Sequence, residues 1–333
     1  MRASIAPAMA VLTSVTEADV RPLLSAYGLG ALHAIEGIAG GSVNSNFALE
    51  TTEGRLFLRL YEERDLSGAQ RETAMLERLS LAEVPTPAPL RRLDGVFASV
   101  VRGKPAALFP WRAGKMRCQA AVTPEDTRRM GEALARVHIA GARESCDKSR
   151  FGFAELLGRL DGIAASGDVR FGPLVPHLRA SLERVHAARD PGLPRGLVHS
   201  DLFRDNVLWN EQEEITALLD FESACDGTYA YDLMVTILAW CVGDDLQAAL
   251  AGALRAGYEN VRPLTQAEKR GLHAEGRFAA LRFTITRITD YAMRTEAQGA
   301  RVVKDWQRFM KRFEMLEAIG SDGLGRLLGV RAG

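Results

Sequence analysis

The chain has 333 residues, 47% of them apolar and 25% charged, with 42 basic residues matched by 42 acidic ones. That is more length than a self-sufficient core requires. The balanced charge excludes a general basic field for nucleic acid or an anionic membrane, so any phosphate recognition must be local. Cys118, Cys146, Cys225 and Cys241 show no metal-ligand spacing and read as reduced thiols. The longest apolar stretch, Leu233 to Val242, falls far short of the roughly 20 residues of a membrane span. A cytoplasmic protein is expected.

Residues 1–14 read as a loose tail whose Ala6 to Leu12 run is a weak leader candidate. Ser14 to Tyr27 is predicted as a short helix, opened by Thr16-Glu17-Ala18-Asp19 and ended by Gly28. Ala34 to Ile38 and Phe47 to Glu50 read as strands joined by the small-residue turn Gly40 to Asn46. Glu53-Gly54 turns into a third strand, Arg55 to Tyr61, with Leu56, Leu58 and Leu60 on one face. In the helix that follows, Ser67 and Gln70 have capping-box spacing, Thr73, Leu76 and Leu79 form the apolar stripe, and Glu72 falls off it. Prolines 85, 87 and 89 end that helix, and Val96 to Val101 and Ala106 to Phe109 are two more strands.

At Pro110 to Gly114 the composition changes from strand-rich to helical, dividing the chain into residues 15–110 and 111–333. Thr123-Pro124-Glu125-Asp126 opens a helix with a cap, a proline at the first position and acids at the positive end of the dipole. Residues 151–190, Tyr229 to Trp240, Leu246 to Tyr258, Gln266 to Thr295 and Lys304 to Ala318 continue as helical patterns. The implied class is α+β: an N-terminal antiparallel five-stranded sheet with a helix, then a mainly helical part.

The most specific stretch is Leu197 to Leu208, containing His199, Asp201 and Asn206, followed by the apolar run that ends at Asp220. Val207 to Trp209 and Ile215 to Leu219 are spaced as a hairpin that brings Asp201, Asn206 and Asp220 to one edge. Phosphoryl transfer uses such a set: one Asp orients the attacking hydroxyl, while an Asn and a second Asp hold magnesium on the phosphates. The bland alternative, ordinary turn and capping residues, does not account for the joint spacing. His199 reads as a framework residue tying down the loop backbone, and Asp205 as a loop cap. Arg204 is either a phosphate contact or a solvated arginine.

Gly41, Ser42, Asn44 and Ser45 lie in a turn whose backbone N–H groups and small side chains suit phosphates. Arg59 on the third strand supplies a cation for them, and Glu72 an acid to brace it. On the helix 266–295, Arg282, Thr286 and Asp290 recur at steps of four, with Arg287 elsewhere on the helix. That polar line fits either the carboxylate and ammonium of a zwitterion or a solvated ion-pair ladder. Arg282, Arg287 and Asp290 are the candidate substrate-binding residues.

These motifs, with Tyr231-Asp232-Leu233, resemble the aminoglycoside phosphotransferase-like kinases, small-molecule relatives of protein kinases with a two-lobed fold. Gly41 to Phe47, Gly103-Lys104-Pro105-Ala106, Asp201 to Leu208, Asp220-Phe221-Glu222, Trp240-Cys241 and Leu281-Arg282-Phe283 are similar to the kinase-like homoserine kinases, over about residues 20–317. The resemblance implies Asp201 as base, Asn206 and Asp220 as magnesium ligands, Gly41 to Ser45 as phosphate cover, Glu72 as brace, and Asp232 stiffening the catalytic loop. It places ATP between the lobes with its adenine near Leu108 to Trp111. Pro110 has no N–H to donate, so Phe109 or Trp111 would supply the backbone contact. Val43 and Arg59 depart from the Glu and Lys usual at their positions.

The expected activity is ATP- and Mg2+-dependent phosphorylation of a small-molecule hydroxyl, L-homoserine first, with O-phospho-L-homoserine as the product, a step of threonine biosynthesis. Neither nucleic acid nor membrane is expected as a partner, and oligomeric state is not legible. An aminoglycoside, choline or ethanolamine acceptor is the alternative, although the helix 266–295 carries more bases than acids, which favours a carboxylate-bearing substrate. A catalytically inactive nucleotide-binding protein is the rival from a different class, and it should lack one of Asp201, Asn206 and Asp220.

Overall fold

The computed structural model describes residues 12–38, 43–144, 146–293 and 304–330. Two compact units divide the chain, Met1–Ala113 and Gly114–Gly333.

The first unit contains α1 (Glu17–Ala26), β1 (Leu32–Gly37), β2 (Ser45–Thr51), β3 (Gly54–Leu60), α2 (Leu66–Leu81), β4 (Ala98–Val101) and β5 (Lys104–Pro110). The strands form one antiparallel sheet in the order β1-β2-β3-β5-β4. Period-two alternation turns Leu58 and Leu60 of β3 inward, beside Phe47 and Leu49 of β2 and Leu108 of β5. Val20, Leu23 and Leu24 of α1 cover that face. Arg102 (φ 52°) and Gly103 (φ 75°) make the tight turn from β4 to β5, where two successive left-handed residues match the twist of the strands.

The α2 cap differs from expectation. Asp65, not Ser67, is the N-cap, and its carboxylate accepts the Gly68 N–H at 2.7 Å. Starting the helix there leaves Ala69, Glu72, Thr73, Leu76 and Leu79 together on the buried side, so Glu72 is not on a solvated face.

The second unit begins with α3 (Pro124–Ala140), capped by Thr123 and Asp126 in a reciprocal box, with Met130, Ala133, Leu134 and Val137 buried. α4 (Phe153–Ala165) and α5 (Val175–Ala187) follow, then β6 (Arg195–Val198), β7 (Val207–Trp209), β8 (Ile215–Leu218) and β9 (Cys225–Thr228). β7 and β8 form the expected antiparallel hairpin. β6 and β9, which were not anticipated as strands, pair antiparallel outside it. α6 (Tyr229–Trp240) is buried along its whole length. α7 (Ala248–Val261), α8 (Gln266–Arg287) and α9 (Gln307–Leu328) complete the unit. α9 runs well past Ala318 and is interrupted by Gly320 at φ 65°.

α3 and α7 touch backbone to backbone. A Cβ on Gly131 would lie 2.0 Å from the Leu254 carbonyl oxygen, and one on Gly257 would lie 2.0 Å from that of Arg128. Among the described residues no helix is long and apolar enough to cross a membrane.

Candidate active site

Asp201 sits in the loop after β6, and that loop is fastened by a buried carboxylate. Asp232, in the first turn of α6 and fully buried, accepts the backbone N–H of His199 and of Ser200, both at 2.7 Å, and the His138 ring at 3.0 Å. Burial alone would raise its pKa, but the His138 and backbone hydrogen bonds outweigh this and hold it below the ordinary carboxylate value. Burial keeps His138 below its usual value and therefore neutral. Its Nε2–H then donates to Asp232 while Nδ1 accepts from the Tyr258 hydroxyl at 2.7 Å. Tyr258 also accepts from Arg262, which pairs with Glu268 at 2.8 Å. A continuous, largely buried network from α8 through α7 and α3 thus ends on the loop that carries Asp201.

Within the loop Ser200 has φ 65°, a left-handed conformation that a non-glycine residue holds only when its surroundings over-determine it. The two Asp232 bonds supply that constraint. His199 joins the two halves of the site. Its Nε2–H donates to the Leu219 carbonyl at 2.9 Å, and its Nδ1 accepts the Asp201 N–H at 3.3 Å. Leu219 in turn donates to the Asn206 carbonyl at 2.8 Å, just beyond the β7–β8 hairpin. Asn206 and Asp220 are therefore flanking residues of one small ladder, and Asp220 (φ 62°) is turned by a second left-handed backbone.

The Asn206 amide donates to the Asp201 carbonyl at 2.8 Å, which fixes the side chain and leaves Oδ1 as its acceptor atom. One amide oxygen and one carboxylate are hard oxygen donors that suit a magnesium ion also bound to phosphates and water. Among the described residues no three His, Cys, Asp or Glu side chains gather as a further metal site.

In the first unit Arg59 lies 3.5 Å from Glu72, which also pairs with Arg64 at 3.2 Å and receives the Tyr61 hydroxyl at 3.3 Å. Two loop residues are engaged differently from expectation. Ser45 is buried and its hydroxyl donates to Glu62 at 2.5 Å while accepting the Thr13 N–H at 3.0 Å, so it is committed to the fold rather than to phosphate. Asn44 Oδ1 accepts the Glu62 N–H at 3.3 Å. Gly41 and Ser42 lie outside the described residues. Trp111 donates its N–H to the Arg55 carbonyl at 3.3 Å, and Phe109 is paired with Phe57 in the sheet register, so both backbones are engaged by β3 rather than turned outward.

The polar line on α8 is dispersed. Arg282 is buried and its Nη1 lies 3.5 Å from Asp201 Oδ1, against that carboxylate rather than in solvent. Thr286 donates to the Arg282 carbonyl at 2.9 Å, and Asp290 pairs with Arg159. Arg287 lies over the Phe309 ring at 4.4 Å and donates to the Asp305 carbonyl at 2.9 Å. Arg204 is half-buried and donates to the Ala239 carbonyl, not solvated as an exposed loop arginine would be. The sequence reading missed the part played by His138, Tyr258 and Ser200. A lone histidine and tyrosine on separate amphipathic helices carry no local signal of pairing.

An α+β chain with a five-stranded antiparallel sheet and a helical second unit has the fold of the protein-kinase-like phosphotransferases. Residues 34–268 match the phosphotransferase enzyme family, and the chain belongs to it. Over 320 residues it is 35% identical to a homoserine kinase of Xanthobacter autotrophicus, covering 94% of this chain and 98% of that one. Over 298 residues it is 37% identical to a homoserine kinase of a Caulobacter species, covering 85% and 89%. Among solved structures an amicoumacin kinase in complex with AMP-PNP, Ca2+ and Ami shares the fold, with a TM-score of 0.67 at 14% identity over 90% of this chain and 94% of that one.

Proposed function

We propose that the chain is an ATP- and Mg2+-dependent kinase that phosphorylates the side-chain hydroxyl of L-homoserine. The observation that carries this is the joint placement of Asp201, Asn206 and Asp220 by one loop and one hairpin, in a chain whose homoserine kinase relatives match it over nearly their whole length. Asp201 orients the acceptor hydroxyl and takes its proton as the oxygen attacks the γ-phosphorus and the bond to the departing ADP breaks. Arg282 holds the Asp201 carboxylate in place from α8. Asn206 and Asp220 would hold the magnesium ion, which when bound supplies neutralisation of charge on the phosphoryl oxygens. Arg59, braced by Glu72, provides a fixed cation in the first unit for the nucleotide phosphates.

The experiment is a coupled ADP-release assay with homoserine, serine, choline, ethanolamine, hydroxylysine and kanamycin as acceptors. Turnover of homoserine well above the others is the expected result. Turnover confined to an amine without a carboxylate would refute the acceptor, and no turnover of any acceptor despite magnesium-dependent ATP binding would refute the enzyme.

A further inference from the structure

Three phenylalanines from separate elements, Phe203 after the catalytic Asp201, Phe283 on α8 and Phe309 on α9, pack with ring centroids 5.0, 5.9 and 4.7 Å apart. Arginines are stacked on them. Arg282 lies 3.7 Å over Phe283, while Arg287 and Arg312 lie 4.4 and 4.3 Å from the centre of the same Phe309 ring. Arg282 has a carboxylate partner in Asp201. Arg312 does not: it is only 7% exposed, and among the described residues no acidic side chain pairs with it. The charges acting on it are Arg287, Arg308 and Arg204, all of its own sign, and burial together with them pushes its pKa down to about 9.

The acids nearby are already engaged. Asp201 faces Arg282, Arg287 and Lys304, Asp205 faces Arg204 and Lys304, and the Asp305 carboxylate caps α9 by accepting the Gln307 N–H at 2.8 Å. A buried cation without a counter-ion, as Arg312 is, is costly, and ring faces relieve only part of that cost.

We infer that Arg287 and Arg312, which share the Phe309 ring, form a carboxylate subsite that selects acceptors carrying an acid group a few bonds from the hydroxyl. The inference rests on the reading of Asp201 as the point where the hydroxyl is activated, since Phe203 ties the cluster to that loop. Guanidinium groups match a carboxylate in plane and bidentately. The phenyl walls suit a short aliphatic chain better than a polyphosphate. This moves acid recognition from the line Arg282, Thr286, Asp290 to a pair contributed by α8 and α9.

The test compares Arg312→Met with the parent on homoserine and on homoserinol, the same molecule with its carboxylate reduced to an alcohol. The KM for homoserine should rise about 10- to 100-fold, the scale of a lost charge-assisted contact. The ratio of kcat/KM for homoserine over that for homoserinol should fall by the same factor, while the KM for ATP follows the parent. Because Arg312→Met removes a buried unpaired cation, its melting temperature should hold or rise, so a folding defect is separated from a binding one. Equal losses on both acceptors, or a change confined to ATP, would overturn the subsite. If the parent ignores homoserine but phosphorylates another carboxylated alcohol such as serine, the homoserine reading falls and the same comparison, serine against ethanolamine, decides the subsite. A parent that accepts only carboxylate-free alcohols overturns both.

Discussion

Asp232→Ala removes the buried carboxylate that holds the backbone of the loop carrying Asp201. The carboxylate is fully buried and receives two backbone N–H groups at 2.7 Å and an imidazole at 3.0 Å. A hydrogen bond to a charged group contributes about 1.5–3 kcal/mol, and a stranded buried donor costs about 1–3 kcal/mol. Three such bonds do not add, because the loop relaxes once released, so a total loss of about 3–5 kcal/mol is expected. Set against a typical stability of about 5–15 kcal/mol, the variant folds, but with a softened loop. Ser200 then leaves its left-handed conformation and carries Asp201 with it. A displacement of about 1 Å at the reacting group lowers turnover about 100-fold. Urea unfolding at constant m-value and steady-state turnover measure the two effects. The isosteric change Asp232→Asn keeps the shape but opposes one donor with an NH2 group, and should fall between the parent and Asp232→Ala. A stability within about 0.5 kcal/mol of the parent, the scale of an ordinary surface substitution, together with unchanged turnover, would refute the clamp.

Asp201→Asn should abolish phosphoryl transfer while magnesium-dependent ATP binding, followed by calorimetry, persists. The pH dependence of stability has a definite sign. His138 titrates below the unfolded ring's value of about 6.5, so its contribution is fully present above that pH and declines as pH falls beneath it, because the unfolded chain takes up the proton first. His138→Gln should flatten that part of the curve in thermal melts from neutral pH to pH about 5. Asp232, held below its unfolded value, adds a second loss only as pH falls under about 3.9. Gly257→Ala forces a methyl group onto the Arg128 carbonyl and should cost about 1–3 kcal/mol, read by urea unfolding.

Where local chemistry decides, the sequence was readable. The Thr123 cap and α6 lie within a residue or so of their expected bounds, because a capping box, a first-position proline and a continuous apolar helix are all encoded nearby. The hairpin that sets Asn206 beside Asp220 was legible for the same reason. The β6–β9 pair was not: Asp226 and Gly227 have turn composition, and only a partner some thirty positions earlier makes that segment a strand. Asp65 and Ser67 are both competent caps two residues apart, and burial of Glu72 against Arg59, Tyr61 and Arg64 decides between them. Helical periodicity set Arg282, Thr286 and Asp290 on one line, yet Asp290 lies beyond the end of α8, and the partners of Arg282, Asp290 and Arg287, namely Asp201, Arg159 and Phe309, come from elsewhere, about which periodicity carries no information.

The contact at Gly131 and Gly257 has a reach that its location does not suggest. α3 carries His138 and α7 carries Tyr258, so the spacing of these two helices helps to set the 2.7 Å hydrogen bond between the two side chains, which leads on to the loop carrying Asp201. A methyl group at either glycine acts as a spacer: it lengthens the relay without touching nucleotide, metal or acceptor. Random variation that weakens catalysis while leaving every substrate contact intact should therefore concentrate on this helix crossing. Graded substitutions there offer a way to tune turnover as one would with a dial, from outside the pocket.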